Sequence, residues 1–450
     1  MLLRNRHKKD ILNGNIFEQI MLLFFPVFLG YILQQIYGFA DAMVLGKFVG
    51  KQALASVGGS ATVMINVVLN IIAGLTTAIT VLVAQNHGRG DSNKVNSVIR
   101  TGFYVAVVFG AFLSTVMLAI SPKLLVLMKE PAESISTSLI YLRLYSLAFV
   151  PYFIYQSGIC IFRALGDNKR PNYFIITTAV VKIALDFLLA GVFKLGVLGT
   201  STATFLSYLV SASAVLLVFQ FTPDIYSYSL KDFGCDKEEL KAIFTMGTPF
   251  AVQNATYALP DLILQSKINT FGTDAIAAFS AYSQVDSLYW CYSNGLAATT
   301  VTMTGQNYGN RNMKRVRKTV WTAVMIELAG IVVYGTVFMT FRRQLLSLFV
   351  NDADVIALGM SMIAFTSTKY IAHLFVATVG SACKGCGLSR FTATTAVFTV
   401  LSTRIAFLLL YPHSHPVDPL YCFPISWALT STVYLIYFLT NKKLKAADPS

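Results

Sequence analysis

The sequence predicts an all-α membrane protein of twelve transmembrane helices, arranged as two six-helix lobes related as parallel repeats. Three observations carry that fold class. Hydrophobic residues make up 55% of the 450-residue chain against 12% charged, with a mean hydropathy of +0.62, which argues against water-soluble domains. Apolar runs of about 20 residues or more recur along the whole length, each enough to cross a bilayer core as a helix. A long block also occurs twice: GKQALASVG from Gly50 has a partner in GTDAIAAFS from Gly272, AQNHG from Ala84 recurs as GQNYG from Gly305, and FRALGDNKR from Phe162 as CKGCGLSR from Cys383. The register, 221 or 222 residues, holds over so long a stretch that the duplicated unit is half of the chain.

In chain order the apolar runs fall at 16–40, 54–82, 98–120, 137–161, 172–193 and 196–220, then at 243–266, 276–303, 318–340, 356–381, 392–411 and 420–440. Six is even, so both halves start on the same side of the membrane and are related by an axis along its normal. Residues 1–222 form the expected N-terminal lobe, 242–450 the C-terminal lobe, and the polar segment 223–241 the connector between them. Arg4, Arg6, Lys8 and Lys9 precede the first run as they would a signal peptide. That run is too long for a signal core and has no small-residue cleavage site behind it, so it reads as a retained helix.

The formal charge of +14 has a topological origin. With the N-terminus inside, the inward segments hold most of the 35 Lys and Arg, which places both termini in the cytoplasm of a multi-pass protein and leaves nucleic acid out as a partner. Six cysteines are scattered, Cys383 and Cys386 form a lone CxxC, and His413 and His415 have no third ligand nearby, so no metal site is expected. The chain has no GxxxxGK[ST], HExxH or GxSxG, which removes ATP binding by the chain itself and the common hydrolase chemistries. Neither an enzyme nor a cofactor is expected; two similar membrane halves point to transport, with the substrate held where the halves meet.

Ionisable residues inside the apolar runs are the informative ones, because each costs a few kcal/mol at the bilayer centre unless it meets a partner or water. They are Asp41, Lys182, Asp186, Asp261, Asp286, Glu327, Lys369, His373 and Arg404. Asp41 ends a polar stripe with Gln34, Gln35 and Tyr37 on helix one. Lys182 and Asp186 lie four apart on one face of helix five, where they can pair, and Thr204 on helix six adds a hydroxyl. If those three helices meet, two carboxylates, an ammonium and a hydroxyl converge in a proton or cation site. Asp261, Asp286, Lys369 and Arg404, with the helix-one glutamines and Tyr37, are candidates for a substrate cavity. Pro26 and Pro249 occupy matching repeat positions in helices one and seven, each a hinge or a fixed bend.

The stretch QQIYGFADAMVLGKFVG (34–50), followed by ALASVGG and VAQNHGRGD, resembles the prokaryotic branch of the multidrug and toxic compound extrusion (MATE) family. FRALGDNKRP (162–171), TFGTDAIAA and GQNYG extend the resemblance over nearly the whole chain. It implies two six-helix lobes around a central cavity that opens alternately to either side, and efflux of drugs or metabolites driven by protons or sodium. It also implies a cation site in the N-terminal lobe made by Asp41, Asp186 and Thr204. The asparagine usual four residues before the second aspartate is replaced by Lys182, Gly38 stands for a common asparagine, and Gln284 for a common arginine. An ammonium beside Asp186 would take the place of a sodium ion and repel one, so the expected coupling ion is H+ rather than Na+.

The expectation is thus an antiporter of organic cations, drugs or related amphipathic metabolites, working as a monomer in a bacterial cytoplasmic membrane. Its rival is a flippase for lipid-linked or polysaccharide precursors of the same superfamily. Such proteins line a groove with basic residues for diphosphate, whereas here Lys182, Lys369 and Arg404 face five acids.

Overall fold

The computed structural model describes residues 10–44, 61–128, 132–221 and 233–441, and the side chains at 37–44 and 132–134 lie outside that description. Twelve helical rods follow one another among the described residues, which contain no strand. They are α1 (Ile16–Val44), α2 (Thr62–Gly88), α3 (Ser92–Leu127), α4 (Ala132–Leu147 and Phe149–Ala164), α5 (Lys169–Val192) and α6 (Gly196–Phe221). After the connector come α7 (Lys237–Asn269), α8 (Thr273–Gly309), α9 (Met313–Ser347), α10 (Ala353–Ser367 and Tyr370–Gly385), α11 (Ser389–Leu410) and α12 (Asp418–Thr440). Eight are long and apolar enough to cross a membrane unaided, and the bent pairs α4 and α10 make ten. The other two, α7 and α8, have 33 and 37 residues and more polar side chains; α8 buries Thr299, Thr300, Thr302, Thr304, Gln306 and Asn307.

The duplication reappears in local geometry. α4 bends by 47° around Ala148, and α10 by 44° around Thr368 and Lys369, at matching positions of the repeat. The turn from α2 to α3 and that from α8 to α9 are built alike. Gly90 and Arg311 take the left-handed conformation at φ 76° and 58°, which ends one helix. The next residue caps the following helix: Asp91 Oδ1 accepts from the Lys94 amide at 3.0 Å, and Asn312 Oδ1 from the Arg315 amide at 2.9 Å. Two π-turns break the symmetry. Phe187–Val192 follows directly on Asp186 in α5, whereas Val397–Leu401 lies earlier in α11. Such bulges in a helix often mark functional positions.

The contacts divide the chain into two compact units, Ile32–Ala251 and Met1–Tyr31 with Val252–Ser450. The division falls in mid-helix, a few residues after Pro26 in α1 and after Pro249 in α7, and so differs from the boundaries that the repeat suggests. In the first unit Phe162 stacks on Phe219 at 4.4 Å and Phe103 meets Phe219 edge-on at 5.3 Å, at the centre of a core drawn from α2 to α6. In the second, Tyr289 stacks on Tyr370 at 3.8 Å within a core from α7 to α12. Phe24 and Phe28 of α1 pack edge-on against Tyr292 of α8.

Each unit thereby receives half of a helix that the repeat assigns elsewhere, and a glycine makes room for it. A methyl group on Gly74 of α2 would run into the backbone of Ala251 in α7. Its repeat partner, Gly295 of α8, faces Phe28 Cα of α1, where the same methyl would sit 3.2 Å away. A Gly74→Val substitution forces α7 off α2 at a cost of about 1–3 kcal/mol. We expect a lowered thermal unfolding midpoint in detergent, while Gly234→Ala, with nothing within 4 Å of the added carbon, changes it little.

Candidate functional site

In the unit Ile32–Ala251, Lys182 Nζ donates to Asp186 Oδ2 along one face of α5, and both side chains are only 1% exposed. The pairing follows from the i, i+4 spacing on a helix. α6 packs beside this face through hydroxyls. Thr178 and Ser211 share a hydrogen bond of 2.6 Å, and Thr204, also buried, donates to the Thr200 carbonyl at 3.0 Å. The structure therefore places Lys182, Asp186 and Thr204 on neighbouring helices, with the Thr204 hydroxyl spent on its own backbone. Gln34 and Gln35 of α1 are half-buried, and the side chains of Tyr37 and Asp41 lie outside the described residues.

Taking an ammonium and a carboxylate out of water costs several kcal/mol per ion, which mutual attraction and good geometry offset. Losing one partner is worse than losing both. Lys182→Met removes the ammonium beside a buried carboxylate and should lower stability by about 3–5 kcal/mol, whereas Lys182→Met with Asp186→Leu, similar in volume and apolar, should lose less. Denaturation in detergent of the single and double variants measures the difference.

The second unit answers the same problem differently. Arg404 on α11 stands at the repeat position of Lys182, but the position of Asp186 is taken by the buried Leu408. The guanidinium instead reaches across to α7, where Arg404 Nη1 pairs with Asp261 Oδ1 at 3.3 Å. Its Nε donates to Ser426 Oγ at 3.0 Å, and its carbon lies 4.7 Å from the centre of the Phe423 ring. Arg404 is buried and the Asp261 side chain is half open, 5% against 55% exposed.

Two further carboxylates are held by aromatic donors. Asp286 on α8 accepts from the Tyr370 hydroxyl of α10 and, at 2.6 Å, from the Trp290 indole one turn away. Glu327 on α9 is fully buried and accepts from the Tyr289 hydroxyl at 3.0 Å and from Ser293 Oγ at 2.9 Å. Because Tyr289 stacks on Tyr370, the two acids sit at the ends of one tyrosine pair. The buried His373 ring lies edge-on between Trp290 and Trp427, at 5.0 and 5.4 Å. Lys369 is not part of this group: it is exposed at the break of α10 and carries no ion pair among the described residues.

Sequence reasoning had named Asp286 and Glu327 but missed Tyr289, Trp290, Ser293 and Tyr370. Asp286, Tyr289, Trp290 and Ser293 follow helical spacing along α8, a signal that could have linked the first four residues. The contributions of Glu327 and Tyr370 depend on tertiary packing. Among the described residues no three His, Cys, Asp or Glu side chains cluster as metal ligands, and Cys383 and Cys386 are buried free thiols.

The family signature MatE matches this chain twice, over residues 26–188 and 249–410, well over half of its length. Among curated proteins it is similar to the "Probable multidrug resistance protein YpnP" of Bacillus subtilis, 26% identical over 81% of this chain and 80% of that one. It is also similar to the "Probable multidrug resistance protein YoeA" of the same organism, 22% identical over 89% and 88%. Among solved structures, the "Outward-facing conformation of a multidrug resistance MATE family transporter of the MOP superfamily" superposes with a TM-score of 0.88 at 21% identity, covering 97% of this chain and 98% of the other.

Proposed function

Since the chain belongs to the MatE family of membrane transporters, and is no enzyme, we propose that it exports organic cations, drugs or related amphipathic metabolites in exchange for protons, by alternating access. The observation that supports proton coupling is the buried pair of Lys182 and Asp186. A fixed ammonium already neutralises the carboxylate to which a sodium ion would bind, and a second cation there is repelled at short range. A proton needs no coordination shell. Asp41, on the helix that the resemblance brings to this pair, is the proposed carrier; Lys182, Asp186 and Thr204 set its electrostatic surroundings. Each unit of difference in its pKa between the two facing states supplies about 1.4 kcal/mol of coupling.

The names of the relatives, multidrug resistance proteins, favour efflux over flipping of a lipid-linked sugar. The ion pair of Arg404 with Asp261 points the same way, because it neutralises a basic residue that an anionic substrate would need. The proposed setting is the bacterial cytoplasmic membrane with both termini inside, on the Lys/Arg bias. The chain is proposed to act as a monomer, as two lobes of one chain suffice to line a pathway, with Pro26 and Pro249 as hinges.

Proteoliposomes loaded with a cationic dye test the coupling. A pH gradient should drive dye flux and a sodium gradient should not, Asp41→Asn should abolish the pH-driven flux, and Lys182→Asn should gain a response to sodium. Wild-type transport that follows sodium and ignores pH would overturn the proposal.

A further inference from the structure

Glu327 lies near the middle of α9, a helix long and apolar enough to span a membrane, and is fully buried. Its two oxygens have unlike surroundings. Oε1 accepts from the Tyr289 hydroxyl at 3.0 Å and from Ser293 Oγ at 2.9 Å, both on α8, whereas Oε2 is buried with no hydrogen-bond partner among the described residues. Tyr289 and Ser293 stand at i and i+4 of α8, so they share one helix face and reach the same atom. No Lys, Arg or His pairs with this carboxyl among the described residues. Along α9 itself the nearest cations are Lys318 before it and Arg342 after it, about 14 and 22 Å away along the axis.

The elements packed around Glu327 bring aromatic rings and hydroxyls. α8 presents Tyr289, Ser293 and Tyr292, whose hydroxyl donates to the Ile326 carbonyl at 2.6 Å. α9 adds Tyr334, its ring 6.1 Å from that of Tyr289 and 5.5 Å from that of Tyr292. α1 sets the Phe24 and Phe28 rings against Tyr292. From α10 comes Tyr370, stacked on Tyr289, with its hydroxyl given to Asp286; His373 of the same helix lies edge-on between Trp290 and Trp427. Asp286 is the other acid of this network, at the far end of the tyrosine pair. Its oxygens each have a donor, Tyr370 on Oδ1 and Trp290 on Oδ2.

A carboxylate removed from water needs a counter-charge or donors on both oxygens, and a carboxyl group that has neither is neutralised by a proton. Asp286 meets the requirement through its two donors. Glu327 shows the pattern of an acid: one oxygen accepts twice, as a carbonyl oxygen can, and the other has no donor, as an O–H needs none. A hydroxyl without an acceptor costs less than an anionic oxygen without a donor. We propose that Glu327 is a proton-binding site of the second unit, held at neutral pH as a neutral carboxylic acid with Oε1 as its carbonyl oxygen and the proton on Oε2. In that form the side chain joins α9 to α8 without placing a net charge in the bilayer core, where a charge is expensive. The site is separate from Asp41 and stands whichever ion drives transport.

Infrared difference spectroscopy reads the proton directly. The full chain is reconstituted in phosphatidylcholine bilayers at neutral pH, and the spectrum of Glu327→Gln is subtracted from that of the wild type. The difference should contain the carbonyl stretch of one protonated carboxylic acid and no band of an ionised carboxylate. Tyr289→Phe and Ser293→Ala each take one donor from the carbonyl oxygen and leave Glu327 in place. Each should shift that stretch to higher frequency, and the two together by more than either alone. The wild-type minus Tyr289→Phe spectrum shows the same stretch as a pair of opposite lobes, and so needs no change at Glu327 itself. Circular dichroism confirms that each variant is folded. Carboxylate bands in place of the acid band overturn the proposal, as does an acid stretch that ignores the loss of both donors. Disappearance of the acid band when sodium chloride replaces choline chloride at constant pH also overturns it and assigns Oε2 to a metal cation.

Discussion

A charge inside a bilayer must find its counter-charge within the protein, and the two compact units meet that constraint in opposite ways. Backbone groups satisfy themselves within each helix, so the side chains decide which helices have to touch. Lys182 is neutralised by Asp186 on its own helix. Such a pair is formed within α5 by helical spacing alone. Arg404 is neutralised by Asp261 across 143 residues of sequence, and this pair ties α11 to α7. The same repeat position thus carries an ion pair within one helix in one unit and between two helices in the other.

The remaining acids of the second unit are held more rigidly still. Asp286 receives donors from α8 and α10, and Glu327 on α9 receives two from α8, while the stacked rings of Tyr289 and Tyr370 join the two arrangements. Hydroxyl and indole donors reach both Asp286 oxygens and Glu327 Oε1 without adding a second charge, while Glu327 Oε2 is buried without a hydrogen-bond partner among the described residues. Its cost is geometric: three helices, α8, α9 and α10, have to keep register within hydrogen-bonding distance. That suits a scaffold. The α5 and α6 face differs from it by a π-turn directly after Asp186.

What could be read from the sequence follows the range of each interaction. The rods were legible because every one had to be apolar over about 20 residues. Lys182 with Asp186 was legible too, being a contact within one helix. Arg404 with Asp261, Tyr370 with Asp286 and Ser293 with Glu327 join residues 34 to 143 positions apart, and no periodicity reports on such contacts. Lys369 was read as part of a continuous tenth helix. The structure breaks that helix at Thr368 and Lys369 and exposes the lysine, so its charge is met at the break and not inside the bundle. The side chain of Asp41 lies outside the described residues.

The duplication has therefore been kept where geometry is shared and lost where charge is concerned. Gly74 and Gly295 admit a crossing helix at equivalent places, α4 and α10 bend at equivalent places, and Asp91 and Asn312 cap equivalent helices. Each of these features is fixed by sterics or by backbone hydrogen bonding, which do not depend on what the helix carries elsewhere. Charged side chains obey a different rule, since only local neutrality has to hold, and it can be met from the same helix or from another one. Replacing the carboxylate of one half by Leu408 in the other was tolerable because Asp261 was within reach of Arg404. One frame thus carries two charge arrangements, because sterics fix the frame and local neutrality alone fixes the charges.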